Sequence, residues 1–285
     1  MKMTKRQHYV PQFYMKYWSR TENNNIIYLD IYKKYIGYIS PKTICCSQCQ
    51  YEIGKIGKEY MCPNKFEDGY GKLETQISIM LNKLFSIMDD NCSSKLIFSS
   101  IEKELIRRFV ITMYLRNPKY DINLFLNEAY NEKLQDIQKM LDIMFNNRVD
   151  TNIVQKIIRN IMISSDMKQC DGEMLGGILY RNLEKIIKSL YISILRSNNS
   201  FIFSDMPVII ERNSIYMPLS PKYAIIFGEK CVVKKPNRIV DISDEEAMKF
   251  NKRYLYKNYA DPCEYLYSQN SKKGKLLLEN IKKFL

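Results

Sequence analysis

The sequence predicts an α+β fold in one domain of 285 residues, on three observations. Apolar residues recur at helical spacing through a long middle stretch. Short β-branched and aromatic runs, divided by Pro, Gly and Asn, occupy the C-terminal part. A hairpin-like pair of such runs lies near the N-terminus. These divide the chain into 1–65 (an opening box and hairpin), 66–198 (helical) and 199–285 (β-rich, with closing helices). No internal repeat stands out.

Each element has a local reason. The opening stretch His8-Tyr9-Val10-Pro11-Gln12-Phe13-Tyr14 carries the sole His of the chain, and the sole Trp follows at Trp18. Tyr9, Phe13 and Tyr17 recur every four residues, so they are expected to form the docked face of a short helix, with Pro11 in its first turn. Ile26 to Tyr32 and Tyr35 to Ile39, separated by Lys33-Lys34, read as a hairpin. Over 66–88 the stripe Leu73, Ile77, Met80, Leu81, Leu84 and Ile87 predicts a helix. Ser99 with Glu102 opens another, and Pro118 ends it, leaving Arg116 at its C-terminus. Further helices are expected over 121–144 and 152–163, with a polar break at 169–172. The next, over 173–195, is interrupted by Gly176-Gly177, read as a close helix crossing. Strands are expected at Phe201–Phe203, Val208–Ile210, Ala224–Phe227 and Cys231–Val233. Ser243 with Glu246 caps a helix to about position 259, a loop follows at 268–274, and a basic helix closes the chain over 276–285.

Composition sets limits on function. Lys and Arg outnumber Asp and Glu by 44 to 31, a net charge of +13, which favours an anionic partner such as nucleic acid or another phosphate-bearing ligand. Solvated lysines in a Lys-, Ile- and Asn-rich chain would give the same balance without any partner. No signal-peptide segment and no membrane-length apolar run is present, so a cytoplasmic protein is expected, with reduced thiols. Cys46-x-x-Cys49 would suit two ligands of a zinc knuckle with Cys62 as a third. The second paired element that makes such a pattern specific is missing, so zinc is not expected. There is no Gly-x-Gly-x-x-Gly or phosphate-binding loop.

Further boxes complete a recognisable set: Glu67 and Glu74 seven residues apart, Arg116-Asn117-Pro118, Ser204-Asp205-Met206-Pro207, Pro218-Leu219-Ser220-Pro221, and Asn251 in a late helix. With the opening box, they make the chain resemble an uncharacterised bacterial domain-of-unknown-function family. Its members open His-Tyr-Val-Pro-Gln-Phe-Tyr-Leu and carry the same boxes in the same order. Met15 stands where the family usually has Leu, and the cysteine-rich segment has no counterpart. The resemblance implies a set of positions rather than a reaction. It suggests a bacterial accessory gene, such as a toxin or antiphage effector.

Chemically, the set offers His8, Glu67, Glu74, Arg116 and Asp205 as candidate catalytic groups, with Tyr9, Gln12, Ser204 and Asn251 around substrate. His8 would serve as general base or metal ligand, Glu74 and Asp205 would hold a divalent cation such as Mg²⁺ or Mn²⁺, and Arg116 would meet developing phosphate charge. A phosphodiester-cleaving hydrolase, a nuclease acting on RNA or DNA, is the leading expectation. An anion- or nucleic-acid-binding protein without turnover, and a nucleotide or NAD glycohydrolase, are the alternatives. Ordinary structural jobs are the competing account: Ser204 and Asp205 in a turn, Glu67 at a helix start, Arg116 at a helix end, Asn251 on a helix surface. A single site requires His8 within hydrogen-bond or one-water reach of Glu67, Glu74 or Asp205.

Overall fold

A computed structural model describes residues 4–19, 24–56, 59–61, 64–90, 98–120, 135–136, 138–140, 142–143, 178–233, 235–256 and 263–285. The fold is α+β. The opening strand β1 (Arg6–His8) leads into a short helix α1 (Gln12–Lys16). The hairpin follows as β2 (Ile26–Asp30) and β3 (Tyr35–Ile39), antiparallel with Tyr28 opposite Gly37. Gly37 is required there, because a Cβ would come within 2.8 Å of the Tyr28 and Tyr35 rings. β4 (Cys46–Gln48) pairs with β1, setting His8 opposite Cys46. β5 (Ile53–Ile56) and β6 (Glu59–Met61) form a small ribbon.

Two helices carry the centre of the molecule, α2 (Lys65–Asp90) and α3 (Ser100–Leu115). Ser99 and Glu102 close the expected capping box at the start of α3, satisfying two backbone donors reciprocally. Then come α4 (Ile178–Ser189) and the strands β7 (Tyr191–Arg196), β8 (Phe203–Ser204), β9 (Ile209–Glu211), β10 (Ser214–Pro218), β11 (Tyr223–Gly228) and β12 (Ile239–Asp241). The chain ends with α5 (Asp244–Lys252), a 3-10 turn Arg253–Leu255, β13 (Tyr265–Ser268) and α6 (Lys272–Lys282). A five-stranded sheet is ordered β12-β7-β11-β10-β9, with only β12 and β7 parallel among its neighbours. A four-stranded sheet, β3-β2-β13-β8, joins the N-terminal hairpin to the C-terminal part. One apolar cluster runs through all of this, from Val10, Tyr14 and Trp18 through Ile77, Leu81 and Phe109 to Phe203, Ile225 and Ile281.

Several expectations are corrected. The face of α1 that is fully buried is Tyr14, Met15 and Trp18, continuing Val10, whereas Phe13 and Tyr17 are only partly covered. Pro11 is the N-cap residue, and its carbonyl accepts from Met15 N at 3.1 Å. The helix expected over 173–195 ends at Ser189, and β7 follows inside a sheet. Cys231–Val233 is a turn, because Val232 N and Val233 N both donate to the Glu229 carbonyl. Tyr265–Ser268 is an additional strand, and α6 starts at Lys272, capped by Ser271. The 121–144 helix is described only at the seven positions 135–136, 138–140 and 142–143, which are helical. The 152–163 helix, the 169–172 break, the Gly176-Gly177 crossing and Cys62 lie outside the described residues.

Candidate functional site

Arg116 is the residue around which the first cluster forms. It is the C-cap of α3, released from the helix just before Pro118, and only 2% exposed. Its Nε donates to the Tyr9 carbonyl at 2.8 Å and its Nη1 to Glu74 Oε1 at 2.7 Å. The guanidinium carbon lies 5.2 Å from the centre of the Tyr70 ring. A buried guanidinium needs this pairing, since an unpaired buried charge costs several kcal/mol, of order 3–5. Nη2 is buried and has no hydrogen-bond partner among the described residues.

His8 enters the same cluster from β1. Gln12, four residues later at the start of α1, points its amide nitrogen at Nδ1, 3.2 Å away. The amide N–H donates and Nδ1 accepts, so the neutral ring carries its proton on Nε2. Among the described residues Nε2 is buried and without a hydrogen-bond partner, like Arg116 Nη2. Burial holds the ring's pKa below its usual 6.5 and the Arg116 charge adds to this, against the opposing Glu74 charge. The Lys42 backbone also favours the charged form from close by, without meeting hydrogen-bond geometry. The lowered pKa favours the neutral ring, whose proton on Nε2 makes it a donor.

Glu67 and Glu74 lie on α2, where a separation of seven residues keeps both on one face. Glu74 is held in its ion pair with Arg116. Glu67 has a carboxyl pushed up to about 7, first by burial and then by Glu74 and Glu52, against the pull of Arg116. Glu52 is itself buried, accepting from Gln7 Nε2 at 2.6 Å and from the Asn64 backbone. Tyr51 closes this side, its hydroxyl donating to the His8 carbonyl.

The C-terminal boxes form a second set. Asp205, 1% exposed, accepts from Lys119 Nζ at 2.5 Å and from the backbone N–H groups of Glu264 and Tyr265. Its carbonyl accepts from Asn117 Nδ2 at 2.7 Å. Burial raises the Asp205 carboxyl pKa, opposed by Lys119. Ser204 Oγ accepts from Met206 N and donates to Met206 O, tying the turn before Pro207. Asn251, fully buried on α5, accepts from Ile202 N and donates to Ser200 O. Pro218 is the last residue of β10, and its carbonyl accepts from Tyr14 OH at 2.7 Å.

His8, Gln12, Glu67, Glu74 and Arg116 thus come together, whereas Ser204, Asp205 and Asn251 are engaged elsewhere. Tyr9 stands between the two sets: its carbonyl holds Arg116, and its ring lies in the field of Asp205. His8 is coupled electrostatically to Glu74, but its hydrogen bond is to Gln12 and none runs to Glu67, Glu74 or Asp205. Glu74 and Asp205, expected to share a divalent cation, sit in separate ion pairs with Arg116 and Lys119. Among the described residues, no group of three or more His, Cys, Asp and Glu side chains is placed to hold a metal ion. Asn251 is a buried bridge between segments and not a helix-surface residue. Sequence reasoning missed Lys119, Glu52 and Gln7, for which no spacing or motif gave a signal.

No helix among the described residues is long and apolar enough to cross a membrane. No curated protein matches the chain, and neither does any solved structure. The family described as Protein of unknown function (DUF4238) matches residues 6–272, which span the opening box, both polar sets and the Pro-Leu-Ser-Pro box, and the chain belongs to that family.

Proposed function

We propose that this protein is a ribonuclease, cleaving RNA phosphodiester bonds by general acid–base chemistry at the His8–Glu67–Arg116 cluster. The observation that carries the reading is the pair of buried donors, His8 Nε2–H and Arg116 Nη2–H, neither in a hydrogen bond among the described residues. Buried donors are nearly always satisfied, and a phosphate oxygen would satisfy both. Beside them Glu67, pushed up to about 7, is poised to exchange a proton near neutral pH. Its half-buried position on α2, next to partly exposed Glu74, makes that edge the side open to substrate. The net charge of +13 suits a polyanionic substrate.

In the proposed step, ionised Glu67 takes the proton of a ribose 2′-hydroxyl. The 2′-oxygen bonds to phosphorus and the P–O5′ bond breaks, with solvent returning a proton to the 5′-oxygen. His8 Nε2–H and Arg116 Nη2–H stabilise the charge that builds on the non-bridging oxygens. His8 acts as a donor here rather than the base expected from its residue type, because Gln12 occupies Nδ1. Single-stranded RNA incubated in EDTA should yield fragments ending in 2′,3′-cyclic phosphate, with the matched DNA left intact. Intact RNA under every condition would refute the proposal. Cleavage that needs Mg²⁺ or Mn²⁺ would restore the metal-dependent reading, and release of free base from NAD or nucleotides would replace it with glycosidic cleavage. RNA-cleaving activity would also make the protein fit to act as a toxin or antiphage effector, which growth arrest on expression, relieved in Glu67→Gln, would check.

A further inference from the structure

A cavity of about 450 Å³ lies between the five-stranded sheet and α5. Its floor is set by register. Ser193 on β7 faces Ile226 on β11, and Leu195 on β7 faces Val240 on β12, so these four side chains share one face of the sheet. An apolar sheet face is normally covered by an apolar helix stripe. Here α5 commits its buried residues Ala247 and Asn251 elsewhere, with Asn251 bonded to Ser200 and Ile202. The side turned to the cavity is Glu246, Lys249, Phe250 and the following Arg253, which offers a single ring to four sheet residues. Ile242 and the turn residues Val232 and Val233 complete the apolar wall, with Val232 40% exposed. The volume falls within the range of small-molecule pockets, roughly 300–1,000 Å³.

The polar groups around it narrow the ligand. Ser193 Oγ donates to the Lys235 carbonyl at 2.6 Å, and the Glu246 carboxylate is taken up in the capping box with Ser243. Arg253 pairs with Glu211 at 3.0 Å and covers the Phe250 ring, whose partner ring is Tyr216 at 4.9 Å. Nothing there is free to read the edge of a base or a sugar, and Phe250 already has two stacking partners. What remains is an apolar chamber with cations at its mouth. Lys249 is only 3.9 Å from Glu245 in an exposed pair, and Lys235 has no ion pair among the described residues.

We propose that this cavity binds a linear amphiphilic anion, an unbranched acyl chain ending in a carboxylate, with the chain on Leu195, Ile226 and Val240 and the head group at Lys235 and Lys249. None of these residues belongs to the His8–Glu67–Arg116 cluster, so the proposal stands independently of the ribonuclease reading. Isothermal titration of the full chain with dodecanoate tests it. Saturable 1:1 binding is expected, weakened about tenfold in a Lys235→Glu, Lys249→Glu double variant that leaves dodecanol binding unchanged. Val240→Trp should abolish binding of both by filling the chamber, and Val232→Trp, at a partly exposed turn position, serves the same purpose if the first variant does not fold. Absence of dodecanoate binding, binding unaffected by the filling variant, or equal affinity for dodecanol and dodecanoate would each overturn the proposal.

Discussion

The two buried polar sets of this protein differ in how completely they are satisfied. Around Asp205 almost every polar atom has a partner within the fold: Lys119, two backbone N–H groups and Asn117 converge on one residue, and Ser204 and Asn251 bond to backbone nearby. Around Arg116, two buried nitrogen atoms have no hydrogen-bond partner among the described residues and a glutamate carries a displaced pKa. A fully satisfied network rigidifies a fold, and a partly satisfied one stores binding capacity at a cost in stability. The Ser-Asp-x-Pro box thus holds the molecule together, and the proposed ribonuclease chemistry falls to the opening box, with α2 and Arg116.

Substitutions can break that contrast, and the largest effect is expected at the residue both accounts need. Arg116→Met removes the partner of Glu74 and of the Tyr9 carbonyl, and should lower unfolding free energy by about 3–5 kcal/mol in urea titrations. Asp205→Asn keeps the shape but weakens the tie to Lys119 and should cost about 1–3 kcal/mol. RNA cleavage per folded molecule should be unchanged in it, and a loss of turnover at full folding would move Asp205 into the site. Asn251→Ala, deleting two buried hydrogen bonds, should cost about 1–2 kcal/mol with turnover again preserved. A further effect is pH-dependent. Because the Glu67 pKa is raised on folding, the folded chain holds its proton where the unfolded chain has lost it, and stability from this group falls as pH rises from about 4.5 to about 7. Glu67→Gln should therefore match the parent near pH 4.5 and become the more stable of the two above pH 7, as thermal unfolding at the two pH values would show.

The parts of this structure legible in the sequence are those decided locally. Ser99 with Glu102 and Ser243 with Glu246 cap their helices because the partners are three residues apart, and the β2–β3 hairpin needs only its own turn. The sequence does not separate β7 from a helix, because β7 lies inside a sheet with Ile192, Ser193, Ile194 and Leu195 all buried, so it shows no alternation, and a short apolar run has no distinguishing period. The opening helix is aromatic on several sides, so spacing alone points to Tyr9, Phe13 and Tyr17, of which Tyr9 is buried and the other two pack at the core's edge, and does not reveal the Val10, Tyr14, Trp18 face that packing buries completely. For the site, residue types pointed to His8, both glutamates and Arg116, but the division into two sets was hidden. Lys119 lies 86 positions from Asp205, and no pattern in the chain announces a partner at that distance.

The most direct test of the acid–base cluster is the pH dependence of RNA cleavage in EDTA, for the parent chain and for Glu67→Gln. With ionised Glu67 as the proposed acceptor of the 2′-hydroxyl proton, kcat/KM should rise with pH to a plateau with its midpoint near 7. In Glu67→Gln the rate should fall about 10²–10⁴-fold and the midpoint near 7 should vanish. A Glu67→Gln variant that keeps the parent's rate and its pH profile would contradict the account.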